Sequence, residues 1–82
     1  MAWYQSPFEN GRIYRARKDI AELGHTFDSG ECVEFVEDSY DPKLGVIRFW
    51  FKNVTTKDLK AWHVWENEIT VLDTWRQYFE AF

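Results

Sequence analysis

A mainly β domain closed by a C-terminal α-helix is what the sequence predicts, on three observations. Val46 to Lys52 alternates strictly, with Ile47, Phe49 and Phe51 on one face and Arg48, Trp50 and Lys52 on the other. Gly11, Gly30, the Pro42 to Gly45 run and Asn53 to Asp58 cut the chain into short segments, as turns between strands do. After Trp65 the period changes. Val71, Leu72, Trp75, Tyr78, Phe79 and Phe82 follow the i, i+1, i+4, i+7, i+8, i+11 spacing of one helical face.

Each element has its own signal. Ile13 to Ile20 alternates Tyr14, Ala16, Lys18 and Ile20 against Ile13, Arg15, Arg17 and Asp19, a first strand with one basic face. Ala21 to Gly30 reads as a long loop. Glu31 to Val36 is a strand with Val33 and Phe35 on one face, and Asp38 to Gly45 is a turn-rich connection. Val46 to Lys52 comes next, then a turn over residues 53–58. In Leu59 to Trp65, Trp62 and Val64 share a face opposite His63 and Trp65. The helix is expected from about residue 70 to 82, with Thr70 and Asp73 in capping-box spacing. Its apolar stripe would pack on the strands, cover Trp50, or mediate a homodimer.

Eighty-two residues with no Pro/Gly/Ser-rich linker make a single domain over 1–82, its strands spanning about 12–66. A core of that size yields little net stability, and small domains often lean on disulfides or metals. This chain has one cysteine and no zinc-site spacing of Cys and His, which points to the reducing cytoplasm. Aromatic residues take the stabilising role: five tryptophans, four tyrosines and seven phenylalanines. Met1 to Pro7 lacks the charged start and apolar run of a signal peptide. No stretch approaches about 18 apolar residues, so no membrane association is expected.

Fourteen acidic against ten basic residues give a net charge of −4, which disfavours general attraction to nucleic acid. The signs are segregated. Arg12, Arg15, Arg17 and Lys18 fall together, and Asp28, Glu31, Glu34, Glu37, Asp38 and Asp41 follow with no base among them.

Glu22-Leu23 followed by Phe27-Asp28-Ser29-Gly30-Glu31-Cys32-Val33-Glu34-Phe35-Val36 resembles the stretch of SH3-like barrels that runs from the first long loop into the second strand. The order of strands and turns agrees with such a small barrel over about residues 11–66. The chain also looks like small bacterial single-domain proteins of unknown function that open with Gly-x-x-Tyr-Arg, here Gly11, Tyr14 and Arg15. Peptide-binding SH3 domains line a polyproline groove with an Ala-Leu-Tyr-Asp-Tyr segment and a late Pro-x-x-Tyr. Both are missing here, so the resemblance implies a fold and not that activity.

Trp50, set between Arg48 and Lys52 on the face away from the core, is the leading candidate for an interaction site, and Trp65, opposite Trp62 on its own strand, is the second. Arg15 and Arg17 could join Arg48 and Lys52 in a patch for phosphates, or simply form a solvated face paired with Glu34. The acids from Asp28 to Asp41 could dock a basic partner, as inhibitory and immunity proteins do. His25 and His63 stand without a third ligand, so no metal and no cofactor is expected. Cys32 is a nucleophile only with a histidine close by; a buried strand cysteine is the plainer reading, and no catalytic residue is assigned. The expected function is non-catalytic binding of another, unidentified protein by a monomer or homodimer. RNA or single-stranded DNA binding is the alternative and a Cys32 hydrolase the third.

Overall fold

The computed structural model describes residues 4–22 and 24–82, so Leu23 of the quoted Glu22-Leu23 pair, and Trp3, lie outside the described residues. The chain is mainly β. β1 (Ile13–Ala16), β2 (Ile20–Glu22), β3 (His25–Phe27), β4 (Cys32–Asp41), β5 (Val46–Asn53) and β6 (Leu59–Trp65) lead into a 3-10 segment (Glu66–Gln77) and then β7 (Phe79–Ala81). Five strands form one antiparallel sheet in the order β6-β5-β4-β1-β7, and β2 and β3 form a separate hairpin. The sheets are not closed into a barrel, which corrects the closure expected from the SH3-like resemblance.

The middle of the sheet follows the sequence pattern. In β5 the alternation holds, with Ile47, Phe49 and Phe51 fully buried and Arg48, Trp50 and Lys52 half-buried on the other face. β6 buries Trp62 and Val64 against them. β4 runs on to Asp41, five residues beyond the expected end, because a bulge between Phe35 and Glu37 resets its register against β5. Asp38 and Tyr40 thereby pair with Phe49 and Ile47, and the turn contracts to Pro42–Gly45. Gly45 has a φ of +66°, which favours glycine, and a Cβ there would sit 3.0 Å from the Glu66 carboxylate, which would have to shift.

Three expectations are corrected. The first strand stops at Ala16, and Ile20 belongs to β2. The stretch taken as a long loop folds back at Gly24 (φ +77°) into the β2–β3 hairpin, which delivers Ile20 and Phe27 to the core. The C-terminal α-helix is absent. A 3-10 segment interrupted at Glu68 and Thr74 stands in its place, and the chain re-extends as β7, which pairs Phe79 with Ala16 and Ala81 with Tyr14. Thr70 and Asp73 cap nothing: the segment opens at Trp65 with no side-chain cap. Leu72 and Trp75, three residues apart, are the buried residues of the segment, as a 3-10 turn allows, with Ile69, Val71 and Tyr78 partly buried around them. The core takes up this apolar stripe.

The core is aromatic and centres on Phe8. Its ring lies between 5.0 and 5.9 Å from seven others, those of Tyr14, Phe35, Phe49, Phe51, Trp62, Trp75 and Phe79. Most of these contacts are edge-to-face, the arrangement ring quadrupoles favour. Away from the rings, Glu31 accepts hydrogen bonds from Lys60 Nζ (2.6 Å), Asn53 Nδ2 (2.7 Å) and the Asp28 amide (3.0 Å). Burial raises the Glu31 pKa, but the Lys60, Asp28 and Asn53 bonds outweigh it and hold the carboxyl below its usual range. Lys60 also donates to the Thr26 carbonyl (2.7 Å), bridging the β6 edge to the hairpin with a side chain where no strand pairing exists.

Phe8→Ala should destabilise the fold by about 3–5 kcal/mol in denaturant unfolding, the cost of emptying a packed aromatic site. Phe82→Ala, whose ring is 71% exposed, should change it by less than about 0.5 kcal/mol.

Candidate functional site

Strand register decides which candidate residues meet. Along the outer face of β5 and β6 the cross-strand pairs run Val46 with Trp65, Arg48 with His63, Trp50 with Ala61 and Lys52 with Leu59. Trp50, Arg48, Lys52 and Trp65 therefore share one face, with Arg48 between the two indoles. Asp41, Ser39, Glu37 and Glu34 of β4 border it, paired with Val46, Arg48, Trp50 and Lys52 respectively.

Trp50 is half-buried and is not covered by the C-terminal segment, one of the two places the sequence offered for it. The 3-10 segment lies against the core side, where Trp75 meets Phe8 and Tyr14. What approaches Trp50 is His25 of the hairpin, edge-on with ring centroids 5.9 Å apart. The Trp50 indole N–H donates to the Ser39 hydroxyl at 3.4 Å, and Arg48 makes an ion pair with Asp41 at 3.4 Å. Trp65 is half-buried beside the β4–β5 turn, where the Glu66 amide donates to the Gly45 carbonyl and Tyr40 donates to the Glu66 carboxylate at 3.1 Å. A shallow depression there is lined by Leu44, Gly45, Trp65, Glu66 and Asn67.

Arg15 and Arg17 do not join this face. Arg15 pairs with Glu80 of β7, its Nε 2.6 Å from Oε1, and Arg17 donates to the Arg76 carbonyl at 2.7 Å. β4 lies between β1 and β5 and brings Glu34 between Ile13 and Lys52, so a continuous basic patch does not form. The acidic run is divided too: Glu31 serves the Lys60 cluster, Asp38 accepts from the Tyr4 hydroxyl, and Asp41 holds Arg48 and the turn amides of Lys43 and Leu44.

Two histidines far apart in sequence come together here. His25 and His63 have ring centroids 5.9 Å apart, yet no group of three or more His, Cys, Asp or Glu able to hold a metal exists among the described residues. Cys32 stands apart on β4 opposite Arg15, half-buried, its thiol 3.9 Å from the Gly30 carbonyl. His63 is 7% exposed, and its Nδ1 has no hydrogen-bond partner. Burial lowers its pKa, and the Arg48 charge and His25 lower it further. Sequence reasoning missed both His25 on this face and Phe8 in the core. Pro7-Phe8, an apolar pair in a polar segment, was the one signal for Phe8.

No protein-family model matches the chain, and no curated protein matches it either. Among solved structures, an integron cassette protein from the mobile metagenome of Vibrio cholerae is similar, with a TM-score of 0.73 over 98% of this chain and 94% of that one, at 11% identity. At that identity the likeness concerns the fold alone. No described helix is long and apolar enough to cross a membrane.

Because His63 is held below the ordinary histidine pKa of about 6.5, the unfolded chain binds more protons than the folded one between the two values. Stability is whole above this window, falls as pH drops through it and levels off below. His63→Leu should flatten that fall in urea unfolding between about pH 8 and pH 5. At the upper end it should lie within about 1 kcal/mol of the native protein, because the change also removes the orphaned nitrogen.

Proposed function

We propose that this domain is a non-catalytic binding module that recognises another protein through the outer face of β5 and β6, with Trp50 and Trp65 as anchors. The observation that carries this reading is the register that sets Trp50, Arg48, Lys52 and Trp65 on one face. Half-exposed indoles beside a cation are the residue types that dominate protein interfaces. The acidic border on β4 supports a protein partner over RNA or single-stranded DNA, since each cation on the face stands across from a carboxylate or within an ion pair. An inhibitory or immunity-type role fits such a module. The strand order, with a 3-10 turn leading into the last strand, supports an SH3-like architecture whose edges stay open. The single cysteine supports a cytoplasmic setting.

Capture of partners from the source cell's extract by the immobilised protein tests this. A specific protein should be retained, and Trp50→Ala should weaken its binding by at least about 30-fold, a loss of about 2 kcal/mol, with the unfolding midpoint little changed. Retention of nucleic acid that weakens steeply with salt, or binding indifferent to Trp50→Ala, would overturn it.

A further inference from the structure

The turn that follows Phe8 carries the pair Asn10-Gly11. Both residues are exposed, and Gly11 holds a φ of +81° with nothing within 4 Å of where a side chain would stand. Hydrogen bonds dock this turn on β4. Asn10 Nδ2 donates to the Val36 carbonyl, the Gly11 amide donates to the Phe35 carbonyl at 2.9 Å, and the Phe35 amide donates to the Arg12 carbonyl at 3.0 Å. Within the turn the Arg12 amide donates to the Glu9 carbonyl at 3.1 Å, and the Glu9 amide donates to the Tyr14 hydroxyl at 2.9 Å.

Asparagine before glycine is chemically labile, because the glycine amide meets no side chain on its way to the asparagine carbonyl carbon. The Gly11 nitrogen bonds to Asn10 Cγ, the Cγ–Nδ2 bond breaks, and ammonia leaves with the amide proton. Water then opens the five-membered imide at either of its C–N bonds, giving aspartate or isoaspartate. Asn53 and Asn67 precede Val54 and Glu68, whose side chains hinder the same attack. In the folded turn both reacting groups of Asn10-Gly11 are engaged, the nucleophile's N–H by Phe35 and the leaving nitrogen by Val36. The β4 bulge supplies that second acceptor: register slips between Phe35 and Glu37, and Val36 has no partner residue on β5.

We propose that Asn10-Gly11 is a site of self-modification that the docked turn holds closed, and that its products disfavour the docking of the turn and of Phe8. Aspartate at position 10 presents only acceptors to the Val36 carbonyl, and it adds a negative charge next to Glu9 in a chain already at −4. Isoaspartate lengthens the main chain by one carbon, which shifts the Gly11 amide and the Arg12 carbonyl off their partners on Phe35. A chain whose N-terminal turn has opened therefore marks itself irreversibly, two residues from the ring on which the core centres.

The test is mass spectrometry with peptide mapping of the full chain incubated at mildly alkaline pH, in native buffer and in the same buffer with unfolding urea. Asn10 should convert ahead of Asn53 and Asn67 in urea, and at least about tenfold more slowly in the native protein, following the population of the open turn. Phe8→Ala, which loosens the turn without urea, should convert faster than the native protein in native buffer. Asn10→Asp, a direct copy of one product, should raise the unfolded-to-folded ratio at least about fivefold in urea unfolding. Native and unfolded rates that differ by less than the expected factor, conversion at Asn53 or Asn67 first, Phe8→Ala converting no faster, or Asn10→Asp as stable as the native protein would each overturn the proposal.

Discussion

The ring of Phe8 is the contact on which the rest of this structure depends. The sheet is open, its two edge strands have no further strand partner among the described residues, and the chain's one cysteine is free, so no covalent or closed hydrogen-bond frame fixes the curvature of its strands. Packing must do so. Phe8 lies inside the concave face and touches rings from β1, β4, β5, β6, the 3-10 segment and β7 at once. A residue outside every strand thus links β6 and β7, the two ends of the sheet, which share no hydrogen bonds. Close-packed interiors transmit such a constraint because they have no slack to absorb it.

That curvature also shapes both faces of the protein. The inner face is filled to the point that its few polar groups, such as Asp38 beneath the Tyr4 hydroxyl, are taken by local partners. On the outer face of β5 and β6 the indoles of Trp50 and Trp65 stay half-buried, and Glu68 and Val71 of the 3-10 segment line a hollow beside His63 and Trp65 at the β6 edge. The hairpin, held at the β6 edge by Lys60, brings His25 against Trp50.

Much of this was legible in the chain. A strand with large apolar residues at every second position has one way to sit on a core, and β5 and β6 follow it, which is why Arg48, Trp50 and Lys52 could be placed on the outer face of one strand and Trp65 on the outer face of another, while the register that brings them together is seen only in the fold. The C-terminus was misread for a physical reason. Val71, Leu72, Trp75, Tyr78 and Phe79 satisfy a 3.6-residue repeat, but Ile69, Leu72, Trp75 and Tyr78 also satisfy a repeat of three, and two readings of one stretch differ by a few tenths of a residue per turn. A three-residue strand such as β7 has no period of its own to announce it. The β2–β3 hairpin is similarly short, and Phe8 carries no pattern because its role comes from where the turn around Glu9 and Arg12 aims it.

The pairing of β7 with β1 joins residues more than sixty positions apart, with Tyr14 opposite Ala81. During synthesis β1 can find β4 early, but its other edge has no partner until the segment around Phe79 has left the ribosome. The aromatic interior likewise lacks Trp75 and Phe79 until then, and Phe8 has nothing on that side to rest against. A chain built this way acquires its final shape all at once and late, and until then it presents an unpaired strand edge and a row of uncovered rings to whatever chaperone or neighbouring chain is near.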